Sequence, residues 1–158
     1  MGSVLIADLV PSLQDKYAAF DAEMKARNIT YKVTCTSRSV VEQMALYVMG
    51  RLSLVEVNRF RWMAGLWLLA YNDNKKVTWT LSSKHVTNMF DKDLNNDLAH
   101  AFDIVILNGR DAVWDLKADV NANEISDYEE AGQIGEVCGL VWGGRWKNAD
   151  YVHFEENV

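Results

Sequence analysis

Apolar residues recur at helical spacing early in the chain and alternate with polar residues later. Leu13, Tyr17, Phe20 and Met24 share one face of a helix that Ser12-x-x-Asp15 would cap and Asn28 would stop. Ser39-x-x-Glu42 is a capping box opening a second helix, with Val40, Met44 and Tyr47 on its inner face and Gly50 as its end. Ser53-x-x-Glu56 repeats the device, with Val57, Phe60 and Ala64 inward and Gly65 as the stop. Tyr31, Val33 and Cys35 alternate as in a strand, and so do Val77, Trp79 and Leu81. Ala101–Leu107 is a continuous apolar run broken only by Asp103. Ser126-x-x-Glu129 caps a last helix carrying Ala131, Ile134 and Cys138, stopped by Gly139. Strands at Val141-Trp142 and Val152–Phe154 finish the chain. There is no repeat, low-complexity tract or linker, so residues 1–158 read as a single domain of the α+β class. The expected architecture is a small antiparallel sheet packed against N-terminal and C-terminal helices.

Composition narrows the function. The net charge of −6 argues against a nucleic-acid binder, which needs clustered Lys and Arg, and against an anionic-membrane binder. Cys35 and Cys138 stand alone and read as two buried thiols. Val4–Ala7 is a short apolar run with no basic region before it, so no secretion signal is expected and synthesis in the cytoplasm is. Trp62–Tyr71 is the most apolar stretch, far short of the ~20 residues that span a bilayer, so no membrane insertion is expected.

Three residues carry candidate chemistry. Two of the three histidines, His85 and His153, follow or occupy strand-like runs, and Asp103 places a carboxylate inside an apolar one. A buried charge demands a partner or a metal. Two His plus one carboxylate is the ligand set of a catalytic zinc with one position open. Each histidine alone reads more readily as a packed core residue than as a ligand, and Asp103 shifts that balance. A second metal site is suggested by Asp119-x-Asn121-x-Asn123 with Asp127 and Glu129 or Glu130, which resembles a calcium loop. Glu124 stands where such a loop needs glycine, and Glu129 is already used by the capping box.

The ordered motifs resemble a known family. They are Thr36-Ser37-Arg38-Ser39-x-x-x-Gln43-x-x-Leu46-Tyr47-x-x-Gly50-Arg51, Val77-Thr78-Trp79-Thr80-Leu81-x-Ser83-Lys84-His85, Ala101-Phe102-Asp103-Ile104, Gly139-Leu140-x-Trp142-Gly143-Gly144-Arg145-Trp146-Lys147 and Asp150-x-x-His153-Phe154-Glu155. In this order they are similar to the zinc L-alanyl-D-glutamate peptidases of bacteriophages, endolysins that share a fold with the D-Ala-D-Ala carboxypeptidases and dipeptidases. The resemblance implies a D,D-peptidase, hedgehog-like fold whose sheet carries the zinc. It implies His85, Asp103 and His153 as zinc ligands, Asp150 as the acid/base and Arg38 as the stabiliser of the oxyanion. Ser83 matches a polar residue beside the first ligand. One departure is clear. The family motif resembles Ser-x-His-x-x-Gly-x-Ala-x-Asp, whereas His85 and Asp103 are eighteen residues apart, with Asn88–Leu98 as an insertion and Ala99 where the family has glycine. Asp91, Asp93 and Asp97 in that insertion compete with Asp103 for the ligand role, and the local context Ala101-x-Asp103-Ile104 favours Asp103.

The implied partner is the peptidoglycan stem peptide, cut between L-Ala and D-Glu by a monomer without a separate wall-binding domain, acting on the wall after release from the host cytoplasm. The rival readings are a D,D-carboxypeptidase or dipeptidase, and a zinc-stabilised phage module without activity.

Overall fold

The structure is a computed structural model and describes residues 2–87 and 98–157. Its helices are α1 (Pro11–Ala26), α2 (Val40–Tyr47), α3 (Leu54–Met63) and α4 (Asp127–Val137). Its strands are β1 (Tyr31–Cys35), β2 (Ala101–Asn108), β3 (Asp111–Val113), β4 (Val141–Trp142) and β5 (His153–Glu155). All strand pairs are antiparallel, in the order β1-β2-β5-β4, with β3 also on β2. The architecture is the expected α+β.

β2 is the axis of the sheet. Along one edge it pairs with β1, and along the other with β5 through Ala101–Asp103 and with β3 through Ile106–Asn108. Alternation along a strand sends successive side chains to opposite faces. Phe102, Ile104 and Ile106 therefore enter one core together with Leu13, Phe20 and Met24 of α1 and Tyr128, Ala131 and Ile134 of α4. Phe154 of β5 joins them, its ring stacked on Phe102 at 5.4 Å. Asp103 and His153 are left on the opposite face.

The helix ends follow the expected chain chemistry at α2 and α3, whereas Ser126 makes no side-chain cap for α4 and Glu129 binds Arg145 instead. Ser53 and Glu56 form the reciprocal capping box, and the Ser39 hydroxyl accepts from Glu42 N. Asn28, Gly50, Gly65 and Gly139 all take positive φ at the stops. α1 begins earlier than expected, with Pro11 in its first turn, and Ser12 gives its hydroxyl to Glu156 at 2.8 Å instead of capping.

Two expectations are corrected. α2 buries Glu42, Gln43 and Ala45, while Val40 and Met44 face solvent. The reason is Gln43, which accepts from Arg38 Nη1 at 3.2 Å and donates to Thr80 O at 2.8 Å. Val77–Leu81 forms no strand. Gln43 and Arg51 hold the Thr80 and Thr78 carbonyls, which turns Val77, Trp79 and Leu81 outward.

Candidate metal centre

Sheet register builds the centre. Cys35 lies opposite Asp103, and Asp103 lies opposite His153, so three strands contribute one row. Cys35 reaches that row only because the β1–β2 register shifts between Val33 and Cys35; such a bulge re-aims a side chain by one position. His85 comes from outside the sheet. A parallel bridge joins Val86 to Arg38, and the Arg38 N–H donates to His85 O at 2.9 Å. Ser83 forms the turn before it, its carbonyl accepting from Val86 N.

The hydrogen bonds set which ring nitrogens are free. His85 Nδ1 donates to Thr36 O at 2.8 Å, which leaves the Nε2 lone pair facing inward. His153 Nε2 donates to Glu155 Oε2 at 3.1 Å, which leaves Nδ1 facing inward. Those two nitrogens are 3.1 Å apart, and each is 3.0 Å from Asp103 Oδ1. Three electron-rich atoms thus converge on one point. Donors at roughly 2.0–2.1 Å from a tetrahedral zinc stand about 3.3 Å from one another, so the triangle fits that ion. A proton is the alternative occupant, and the charges reflect it. Burial opposes protonation of both histidines, but the Asp103 carboxylate overrides it and raises their pKa values. Burial likewise disfavours the Asp103 charge, yet His85 and His153 hold that carboxyl well below the usual range.

The surrounding groups are paired. Arg38 Nη2 donates to Asp103 Oδ2 at 3.3 Å, on the oxygen that the triangle does not use, and to Cys35 Sγ at 3.2 Å. Lys84 Nζ meets Glu155 Oε1 at 3.1 Å. Burial raises the Glu155 carboxyl, and His153 and Lys84 outweigh it to give a net lowering. Ligand-orienting carboxylates of this kind fix the tautomer of a metal-binding histidine. The Trp146 ring lies 5.1 Å from that of His153 and walls one side.

Asp150 sits in the turn before β5, where its carbonyl accepts from His153 N at 3.3 Å. The turn packs on Gly143, where an added Cβ would come 2.6 Å from Asp150 O, so only glycine fits. Partial burial raises the Asp150 carboxyl first, and repulsion from Asp103 adds to it.

Of the five residues expected at the site, His85, Asp103 and His153 meet directly, Arg38 touches Asp103, and Asp150 lies within their electrostatic reach. His100 instead binds Glu156 at 2.8 Å. Asp91, Asp93 and Asp97 lie outside the described residues. Two participants lie outside that set: Glu155, readable from the sequence as a ligand-orienting group or a salt-bridge partner, and Cys35, which was not foreseen. Glu155 carried a signal, because position i+2 in a strand shares a face with His153. Cys35 carried none beyond its closeness to Arg38, since its place depends on the bulge. Its Sγ forms a metal-capable group with His85 and Asp103, all within 4.8 Å. Burial opposes ionisation of this thiol, but the His85 hydrogen bond and Arg38 lower its pKa overall.

The calcium loop is not supported. Both Asp119 oxygens accept backbone N–H groups, from Asn123 at 3.0 Å and Glu124 at 2.8 Å. The Asn121 and Asn123 amides donate to Glu130, so their nitrogens point where a cation's oxygen ligands would have to be.

Comparison with known proteins bears on the same region. Residues 96–156, which carry Asp103, Asp150 and His153, match the D-alanyl-D-alanine carboxypeptidase family. A 44-residue stretch is 43% identical to the peptidoglycan L-alanyl-D-glutamate endopeptidase CwlK of Bacillus subtilis (strain 168), covering 27% of this chain and 26% of that protein. The chain therefore matches about a quarter of that relative's length. The crystal structure of the Serratia marcescens L-Ala D-Glu endopeptidase ChiX shares the fold, with a TM-score of 0.56 and 17% identity over 96% of this chain and 83% of that one.

Proposed function

We propose that the chain is a zinc-dependent peptidoglycan peptidase of the endolysin type, cutting the L-Ala–D-Glu bond of the stem peptide. The reading rests on one observation, the convergence of His85 Nε2, His153 Nδ1 and Asp103 Oδ1 with sides of 3.0–3.1 Å. Those three atoms would hold the metal. Bound zinc supplies Lewis acidity that polarises the scissile carbonyl and makes water nucleophilic near neutral pH.

The chain's own groups do the rest. Thr36 O and Glu155 hold the two imidazoles in the tautomers that the site needs. Asp150 takes the proton from the attacking water and returns it to the leaving amine. Its raised pKa suits that exchange, because a carboxyl nearer to neutrality both accepts and releases a proton. Arg38 steadies Asp103 and places positive charge where the oxyanion develops. The sequence resemblance and the likeness to two enzymes named for L-Ala–D-Glu cleavage support the choice of bond. The family description favours a second reading, removal of terminal D-Ala.

Mass spectrometry of digested peptidoglycan separates the two. Fragments with a D-Glu amino terminus are expected, free D-Ala would establish the second reading, and intact stem peptides would leave only a non-catalytic module. Asp150→Asn should keep the metal and lower kcat by a factor of about 10² or more. Because the Asp150 pKa is raised, the acid limb of the kcat/KM profile should lie above about pH 4, the ordinary aspartate range, and vanish in the variant.

A further inference from the structure

The three residues of the metal triangle lie on three separate segments, and a ring of hydrogen bonds ties those segments together close by. The Lys84 carbonyl accepts from His100 N at 2.8 Å, and the His100 carbonyl accepts from Glu156 N at 3.1 Å. The Glu156 carbonyl accepts from Lys84 Nζ at 2.6 Å and closes the ring. Lys84 directly precedes His85, His100 stands just before β2 with its Asp103, and Glu156 directly follows β5 with its His153. Two links of the ring join backbone to backbone. The third is made by a side chain, so the residue at position 84 decides whether the ring closes.

The same ammonium has a second partner. Lys84 Nζ lies 3.1 Å from Glu155 Oε1, and the other oxygen of that carboxylate accepts from His153 Nε2 at 3.1 Å. The two side chains are 19% and 16% exposed, so water and salt screen the pair far less than a surface ion pair. An ammonium has three donors, and Lys84 directs its contacts at two successive residues at the end of β5. Ordering so long a side chain sacrifices rotamer freedom, which both contacts together must offset.

The sheet alone does not do this work. Asp103 and His153 face each other across the β2–β5 pairing, whereas His85 lies in a turn outside the strands. The Arg38 N–H holds the His85 carbonyl, and Lys84 ties the same turn to the end of β5. We propose that Lys84 is a positioning residue of the metal centre. Its ammonium fixes the His85 turn against β5 and aligns the Glu155 carboxylate that orients His153. Lys84 is not itself a ligand, and it acts on both histidines at once. This role presupposes that the triangle is the zinc site of the proposed peptidase.

The test is zinc affinity by competition titration, for the full chain, Lys84→Met, Glu155→Gln and the double variant. Lys84→Met removes the charge and the donors while keeping a long unbranched side chain. It should weaken zinc binding by about tenfold or more, within the range for groups that orient a ligand. In the Glu155→Gln background the same change should cost at most about threefold, because one of its two routes is already gone. Equal factors in the two backgrounds, or an affinity that Lys84→Met leaves unchanged, would overturn the proposal. Cobalt in place of zinc should show shifted visible bands in Lys84→Met, and bands identical to those of the unaltered chain would also overturn it. A measurement on the unaltered zinc-loaded protein needs no variant to fold. By nuclear magnetic resonance, the Lys84 ammonium protons should exchange with water about tenfold or more slowly than those of the exposed Lys25, and equal rates would count against the clamp. Hydrolysis of soluble stem-peptide fragments is read in parallel. Coupled zinc affinities without hydrolysis would overturn the peptidase reading alone, and hydrolysis with additive affinities would overturn the role of Lys84 alone.

Discussion

The row Cys35–Asp103–His153 and the segment Val77–Leu81 both begin as alternating or apolar stretches, and they end in opposite surroundings. In β2, Phe102, Ile104 and Ile106 are fully or almost fully buried, and the single charge among them is paired on both oxygens. In the segment after α3, Val77, Trp79 and Leu81 are exposed, and its carbonyls are held by side chains of α2 and the following turn. Alternation specifies two faces. Which of them is buried depends on whether the backbone finds a strand partner, and β2 has partners on both edges whereas Val77–Leu81 has none among the described residues.

The largest effect that could break this contrast concerns the buried row. His153→Ala should reduce zinc content, read by elemental mass spectrometry, from about one ion per chain to background, because an open three-ligand site keeps little affinity with two. Full occupancy would remove the row's claim to be a metal site. Next comes packing. Trp142 is buried in the core and its indole Nε1 donates to Tyr151 O at 3.0 Å, while Trp79 is exposed. Urea unfolding should find Trp142→Ala destabilising by about 3–5 kcal/mol and Trp79→Ser neutral within roughly 0.5 kcal/mol. Similar costs for the two indoles would erase the distinction.

Much of this was legible in the sequence. Ser39 and Ser53 announce their helices, and Gly50, Gly65, Gly139 and Asn28 end theirs, because caps and positive φ are local chemistry. β1 and β2 follow from alternation and apolar content. The inner face of α2 was not legible, since it is decided by Gln43 reaching Arg38 and Thr80, partners five and thirty-seven residues away. β3 and the bulge before Cys35 were missed for the same reason, as both depend on register with β2. The ordered motifs brought His85, Asp103 and His153 forward as a set, whereas Glu155 needed the observed hydrogen bond to show what it holds.

Two smaller effects sharpen the comparison. Glu155→Gln should weaken zinc binding by about 10–100-fold in a competition titration while leaving the fold unchanged, the range for a group that orients a ligand. An unaltered affinity would reduce Glu155 to a partner of Lys84. Glu156 is buried and binds His100 at 2.8 Å and Ser12 at 2.8 Å, tying the chain end to α1 and to the entrance of β2. Burial raises its carboxyl, but His100, Ser12 and Lys16 lower it overall. A group whose folded pKa is depressed contributes stability above its unfolded pKa, near 4.3, and loses it as pH falls through the folded value. Glu156→Gln should therefore cost about 1–3 kcal/mol at neutral pH, and the two proteins should converge in strong acid. A difference that persists in acid would assign the effect to packing.

The bridges that flank residues 88–97 have a bearing on how the gene can change. Val86 is bridged to Arg38 on one side and Ala99 to Leu9 on the other, so the described residues on both flanks are fastened to the fold. The cost of closing such a span grows only with the logarithm of its length. With both flanks held, His85 and Asp103 meet at 3.0 Å although their interval is longer than in the motif that the sequence resembles. A change in the number of residues between the two bridges should therefore be felt less at His85 and Asp103 than the loss of either bridge.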